Sequence, residues 1–270
     1  MKNKTGIALV NSLINKYEPI SLEQMKSIRL MNRIDTKFVT STKRLQTLLS
    51  MLSGQYYVQE TKGLRLIPYY TLYFDTSGLD MYTRHHDGCL VRQKLRVRSY
   101  VNSHLSFLEV KSKDNHKRTN KKRVEFTGFD PESPRHDIRL GIDADVMQYS
   151  KFLTEHLGYD CREMTEQLEN HFNRITLVNK EMTERVTIDT SLRFDNVATG
   201  RSVDMSDIAI IELKRDGLAD SPIVEHLRRL RIFRHGFSKY CIGTALTNPN
   251  AKINQLKERL HSIERIAKLT

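Results

Sequence analysis

The clearest pattern in the chain is a repeated two-residue alternation of charge and apolarity. In 91–101 (VRQKLRVRSYV), Arg92, Lys94, Arg96, Arg98 and Tyr100 share one parity, and Val91, Gln93, Leu95, Val97, Ser99 and Val101 share the other. Successive side chains of a strand point to opposite faces, so this segment predicts a strand with one cationic and one mainly apolar face. The same separation recurs. Arg33, Asp35 and Lys37 oppose Ile34 and Phe38; Glu109, Lys111 and Lys113 oppose Leu108 and Val110; Lys121, Arg123 and Glu125 oppose Val124 and Phe126. Arg185, Thr187 and Asp189 oppose Val186 and Ile188, and Glu212 and Lys214 oppose Ile211 and Leu213.

Further strands are predicted at 55–60, 67–75, 105–113, 121–127, 171–179, 184–190 and 207–214, with a polar hairpin at 114–120. Helical spacing marks 21–31, where Ser21 and Gln24 have capping-box spacing, and 42–52. It also marks 145–157, with Gly158 as the expected stop, and 250–268. Residues 77–84 predict a short helical turn, and Ser221-Pro222 opens a helix to about Ile232. Pro131 and Pro134 place 130–143 in a loop. Strands in succession with helices between them predict an α+β fold: an antiparallel, barrel-like β-tunnel with peripheral helices. No Pro/Gly/Ser-rich linker divides the 270 residues, so one domain is expected.

Composition sharpens this picture. A net charge of +12 and a pI of about 9.6 favour polyanionic ligands. On an ordinary sheet the charged face would simply meet solvent. Two features argue otherwise. Like charges crowded on one face repel unless an anion lies among them, and a Glu-x-Lys pair occurs both in LEVK and in IELK. An enclosed site for phosphates and a divalent metal uses both groups, cations for phosphate oxygens and carboxylates for the metal.

Other chemistry is sparse. No P-loop, dinucleotide fingerprint or HExxH occurs. His85-His86-Asp87 is expected to be a turn rather than a metal site, and Tyr56, Tyr57, Tyr69, Tyr70 and Tyr73 are expected to pack in the core. Cys89, Cys161 and Cys241 are too few and too dispersed for a disulfide framework, which implies a reducing compartment. With no apolar run of membrane-spanning length and no signal-cleavage pattern, the expectation is a cytoplasmic protein.

The segments RIDTKFV (33–39), LYFDT (72–76), KLRVRSY (94–100), LEVKSK (108–113), NRITLV (173–178), ERVTIDTSL (184–192), IIELKR (210–215) and FSKYCIGTAL (237–246) occur in an order that resembles the VTC (vacuolar transporter chaperone) domain. This is the polyphosphate polymerase domain of the triphosphate tunnel metalloenzyme superfamily. The resemblance implies a tunnel domain over 30–248; the N-terminal helical segment at 1–29 and the C-terminal amphipathic helix at 249–270 lie outside it. It implies catalytic cations at Lys37, Arg96, Arg98, Lys111, Arg174, Arg185 and Lys239. Further phosphate contacts would come from Lys94, Lys121, Arg123 and Lys214, with Lys121 preferred to Lys122 on strand parity. Glu212 would ligate Mn²⁺ or Mg²⁺, with Glu109 as the second metal candidate. The family pattern often carries a lysine immediately before FSK, where this chain has Gly236; Arg234 and His235 are the neighbours that could compensate.

The activity so implied is metal-dependent phosphoryl transfer from ATP to a growing polyphosphate chain. Its rivals are hydrolysis of triphosphates in the same tunnel and a non-catalytic module binding polyphosphate or an inositol phosphate. Nucleic acid is not expected, because the cations alternate with apolar residues and suit an enclosed site. Any export role would need a separate membrane protein.

Overall fold

The computed structural model describes residues 2–25, 28, 33–116, 118–133, 136–140, 143–217 and 221–269. In chain order the elements are α1 (Lys2–Ile14), β1 (Glu18–Ile20), α2 (Leu22–Met25), β2 (Arg33–Ser41), α3 (Thr42–Leu52), β3 (Tyr56–Gln59), β4 (Ile67–Asp75), α4 (Asp80–His86), β5 (Arg92–Tyr100), β6 (Leu105–Lys113) and β7 (Thr119–Glu125). Then follow α5 (Ser150–His156), β8 (Thr165–Asn179), β9 (Glu184–Asn196), β10 (Ser202–Met205), β11 (Ile208–Asp216), α6 (Pro222–Arg229), α7 (Lys239–Thr247) and α8 (Lys257–Ala267).

All strands join one sheet, whose main path is β2-β11-β9-β8-β4-β5-β6-β7. Every pairing along this path is antiparallel. The sheet curls without closing: β2 and β7 end the path unpaired with each other. The long strands β8 and β9 form its floor, and register shifts in the β4–β8 and β8–β9 pairings add local bend. In β9 the extra residue is Ser191, held at φ 53°.

The outer face of the sheet is apolar and must be covered. Phe38, Ile175, Leu177, Val186, Ile188, Ile211 and Leu213 pack beneath α1, α3 and α6. Leu72, Leu95, Val97, Leu108 and Val110 pack beneath Leu153 of α5 and the segments around it. The inner face is apolar at one end only, where Leu168, Phe172, Leu192 and Phe194 meet Tyr240, Cys241 and Ile242 of α7. Asp75 anchors this end by accepting from the Tyr240 hydroxyl (2.6 Å) and from the backbone N–H groups of Met81 (2.9 Å) and Tyr82 (2.8 Å) at the start of α4.

Several expectations change in detail. The Ser21–Gln24 capping box forms, with bonds of 2.8 and 3.2 Å, but the expected helix to 31 is described only to Met25; most of 26–31 lies outside the described residues. The 145–157 helix is a 3₁₀ segment, Ala144–Tyr149, followed by α5. Gly158 does not stop it with a left-handed turn: its N–H donates to Gln93 Oε1 at 2.7 Å. The helix from Pro222 ends at Arg229, short of Ile232, and the final helix begins at Lys257, not 250. His85-His86 closes α4 rather than making a turn. His86 accepts from Gln255 N–H on Nε2 (3.1 Å), which leaves the proton on Nδ1 to face Asp87 (2.6 Å). Tyr56, Tyr70 and Tyr73 pack in the core as expected, Tyr73 stacked on Tyr240 at 5.1 Å, whereas Tyr57 and Tyr69 are half-buried beneath Lys180 and Arg174.

α7 was not legible as a helix. It contains Gly243, a poor helix former, at the point of closest approach to the floor. A Cβ there would lie 2.6 Å from Leu168 Cδ2 and from Phe194 Cδ1, both of fully buried residues. Gly243→Ala therefore sets a helix-propensity gain of about 1 kcal/mol against overpacking of about 1–3 kcal/mol. Since neither neighbour can yield into solvent, the overpacking cost lies at about 2–3 kcal/mol and the variant is expected to lose about 1–2 kcal/mol in urea unfolding; equal or higher stability would show that α7 lies further from the floor.

Candidate active site

Register places the charged positions side by side on the inner face. Lys94, Lys111 and Lys121 form one row across β5, β6 and β7. Arg96, Glu109 and Arg123 form the next. On the other wall Lys37 faces Glu212, Asp35 faces Lys214, and Lys214 faces Arg185. Arg174 and Asp189 are partners across β8 and β9. The curl brings these walls together: Lys111 of β6 feels Lys37 and Asp35 of β2 and Glu212 of β11, and Arg98 feels Arg174.

Two buried carboxylates hold most of the ordered cations. Asp189 takes both Arg174 nitrogens, Nε at 2.6 Å and Nη2 at 2.8 Å, and also Lys239 Nζ from the start of α7. The Arg174 guanidinium lies 5.0 Å from the Tyr69 ring centre, and Lys239 Nζ lies 4.1 Å from that of Phe172. Burial alone would raise the Asp189 pKa, but Arg174 and Lys239 hold it well below the usual carboxylate range. Glu109, with no exposed surface, takes Arg96 Nε (2.8 Å) and Nη2 (2.6 Å) on one oxygen and Lys121 Nζ (3.0 Å) on the other. Burial opposes its ionisation, yet Arg96, Arg98 and Lys121 bring it down to about 2.

The remaining cations have less compensation. Burial, helped by Lys37 and Lys111, lowers Lys94 to about 7; among the described residues its Nζ donates to Ser238 Oγ, at 2.8 Å. Burial, then Lys37 and Arg96, lower Lys111 to about 8, although its side chain stays solvent-accessible, as befits a group inside an open cavity. Burial lowers Lys239 to about 7 despite Asp189. Arg98 falls to about 10 through burial and Arg96, and its Nε has no hydrogen-bond partner.

Each residue expected from the sequence thus lies on a strand of this face or, for Lys239, at the start of α7 above it. Lys121 rather than Lys122 reaches Glu109. Arg123, on the exposed end strand β7, stacks on Phe107 at 4.6 Å. Asp189 stands in the alternation of 184–190 beside Arg185, but the pattern alone does not mark it as a counter-ion. Its role depends on Lys239 arriving from a helix that is distant in sequence.

The two carboxylates expected to ligate a metal differ. Glu109 has both oxygens committed to cations inside the wall and does not fit. Glu212 is partly open, ionised because Lys37 and Lys214 overcome burial to bring it down to about 2, and paired with Lys214 and with Lys37 at 4.0 Å. One such carboxylate suits a divalent ion that takes its other oxygens from phosphate and water. Among the described residues the grouping able to hold a metal by protein side chains alone is Glu169, His171 and Asp195. It lies on the opposite face of β8 and β9, and Asp195 there is bound by Arg193.

The depressed lysines give the site a distinctive pH response. Between about 7 and 10.5 the unfolded chain keeps a proton that Lys94 has released in the folded protein, so stability rises with pH across that window. Ligand-free protein is expected to gain stability between pH ~7 and ~9.5, and Lys94→Met to gain less. Chemical denaturation of both at the two pH values checks this; identical gains would mean that Lys94 is not the repelled group.

The chain can be placed among known proteins. Comparison with curated proteins gave no match. Among solved structures it is similar to a candidate adenylate cyclase of Bacillus halodurans, with 14% identity over 77% of this chain and 96% of that one and a TM-score of 0.45. It is also similar to HpAC1 of Hippeastrum, a candidate adenylyl cyclase described as having a dominant triphosphatase activity, with 16% identity over 81% and 98% and a TM-score of 0.45. No helix among the described residues is long and apolar enough to cross a membrane. The family model of the VTC domain matches residues 32–248, most of the chain, and the protein therefore belongs to the VTC domain family.

Proposed function

We propose that the concave face binds the phosphates of ATP and of a polyphosphate chain, and transfers the terminal phosphoryl group of the nucleotide to the chain end with a divalent metal. The observation that carries this reading is the row Lys94–Lys111–Lys121 on adjacent strands. Like charges directly opposite across a sheet are destabilising. Of the three, Lys121 alone has a carboxylate within ion-pair distance among the described residues. A phosphate chain supplies the missing anion.

The chemistry asked of the protein is positioning and charge neutralisation. Arg98, Lys111 and Lys94 are free to take phosphate oxygens, whereas Arg96 and Arg174 are oriented by Glu109 and Asp189. Glu212 is the residue that would hold Mn²⁺ or Mg²⁺. When bound, such an ion neutralises charge on the transferred group. Transfer to phosphate asks less of this site than hydrolysis, which needs a base and would have to draw on the depressed lysines Lys94 and Lys239. The end of a phosphate chain is already anionic, whereas an attacking water must lose a proton. The inner carboxylates are engaged by cations, and His85 is pushed down to about 2 by burial and by Lys94, Arg92, Arg259 and Lys37, so it is a poor base.

Incubation with ATP and Mn²⁺, read on a polyphosphate gel beside a free-phosphate assay, is expected to show chain lengthening in excess of phosphate release. Release without lengthening would make the protein a hydrolase, and neither would leave a binding module. Glu212→Gln is expected to fold and to retain tripolyphosphate binding, since the cations remain, while metal-dependent turnover falls by ~10²-fold. Rates equal to wild type would reduce Glu212 to an ion-pair partner. Tripolyphosphate is also expected to raise the melting temperature, by less at high salt.

A further inference from the structure

Two cations near this face, Arg92 and Arg259, belong to none of the positions assigned so far. Arg259 lies on α8, beyond the residues matched by the VTC domain. Its guanidinium lies against Gly236: a Cβ on that glycine would be 3.6 Å from Arg259 Cζ and Nη2. That is ordinary van der Waals contact, so Arg259 of α8 brings a cation against the loop that precedes α7. Arg234, by contrast, is exposed. Arg259 has no ion-pair partner among the described residues.

The charge of the same guanidinium reaches two histidines. His85 at the end of α4 feels the positive charges of Lys94, Arg92, Arg259 and Lys37, and its buried Nδ1 has no hydrogen-bond partner among the described residues. His235 meets Arg259, and its buried Nδ1 is also unpartnered. Around them, Lys94 is tied to Ser238 Oγ (2.8 Å), Lys37 to Phe237 O (3.1 Å) and Arg92 to Cys89 O (2.5 Å). The cations converging here are thus held by neutral oxygens, apart from the 4.0 Å approach of Lys37 to Glu212. Two unsatisfied imidazole nitrogens and four cations at one place form a polar cluster that lacks an anion.

We propose that Arg259, Arg92 and His85 form an outer anion subsite at the α4–α8 end of the concave face, which holds phosphates of a polyphosphate chain beyond those bound by Lys94 and Lys111. This rests on the reading of the inner face as a phosphate site and extends it to chain length. A triphosphate fills the inner cations, and a longer chain also reaches the outer ones. The C-terminal helix thereby becomes part of substrate recognition.

The test uses the full chain at low salt and measures the Kd of tripolyphosphate and of long-chain polyphosphate by calorimetry. Arg259→Ala is expected to weaken long-chain binding by roughly tenfold or more, the effect of losing a charge-assisted contact, and tripolyphosphate binding by less than about threefold. Arg259→Lys is expected to keep part of the long-chain affinity, and it serves as the measurement should the alanine variant fold poorly. Arg265→Ala removes the same charge from an exposed position of the same helix and is expected to change neither. Unchanged long-chain binding in Arg259→Ala overturns the subsite, as does equal loss for both ligands or equal loss in Arg265→Ala. Wild-type protein that binds neither ligand overturns the inner-face reading itself, and the subsite with it.

Discussion

Asp189 bears the main electrostatic constraint of this molecule. Its carboxylate joins a strand arginine, Arg174, to a helix lysine, Lys239, in a place where burial would otherwise expel every charge. The pair also fixes where α7 begins, and so how far the helix closes the apolar end of the concave face. Glu109 does the corresponding work on the other wall for Arg96 and Lys121. Removing either carboxylate would leave buried cations uncompensated, the costliest way to break such a pair. These contacts therefore hold the cationic face together in the absence of ligand.

The rest of the architecture follows from giving the inside of a sheet to charge. An ordinary sheet buries its apolar face against one layer and leaves the other to solvent. Here the apolar face points outward, and separate helical layers cover it: α1, α3 and α6 over one half, α5 with its flanking segments over the other. The charged face is left to line the curl. The cations that remain incompletely neutralised, Lys94, Lys111 and Arg98, stand where a ligand would meet them, and a stability cost of this kind is typical of preorganised sites. Their depressed proton affinities have the same origin as their readiness to take an anion.

This arrangement also separates roles that look alike in one dimension. Both Glu-x-Lys pairs read as metal carboxylate beside phosphate cation. In three dimensions Glu109 is a structural counter-ion with no free oxygen, while Glu212 remains open beside Lys37 and Lys214. The difference lies in the cross-strand neighbour. Glu109 faces Arg96 and Arg123, whereas Glu212 faces Lys37 and the short Thr187.

Alternation along 33–39, 91–101, 105–113, 121–127, 184–190 and 207–214 determined the strands and the composition of each face, because a strand's side-chain period is fixed by its backbone. That was enough to find nearly every inner-face cation and to expect a tunnel. Alternation carries no information about what stands across a cavity. The meeting of Asp189 with Lys239, the seating of Gly243 between Leu168 and Phe194, and the arrival of Arg259 over Gly236 each join residues far apart in the chain. It also fails at Ser191, whose left-handed backbone inserts one residue into β9. Before it the odd positions 185, 187 and 189 face inward; after it Leu192 and Phe194 do. Local periodicity therefore determined which residues could line the site, and the curl of the sheet, set by bulges and by the helices packed around it, decided which of them meet.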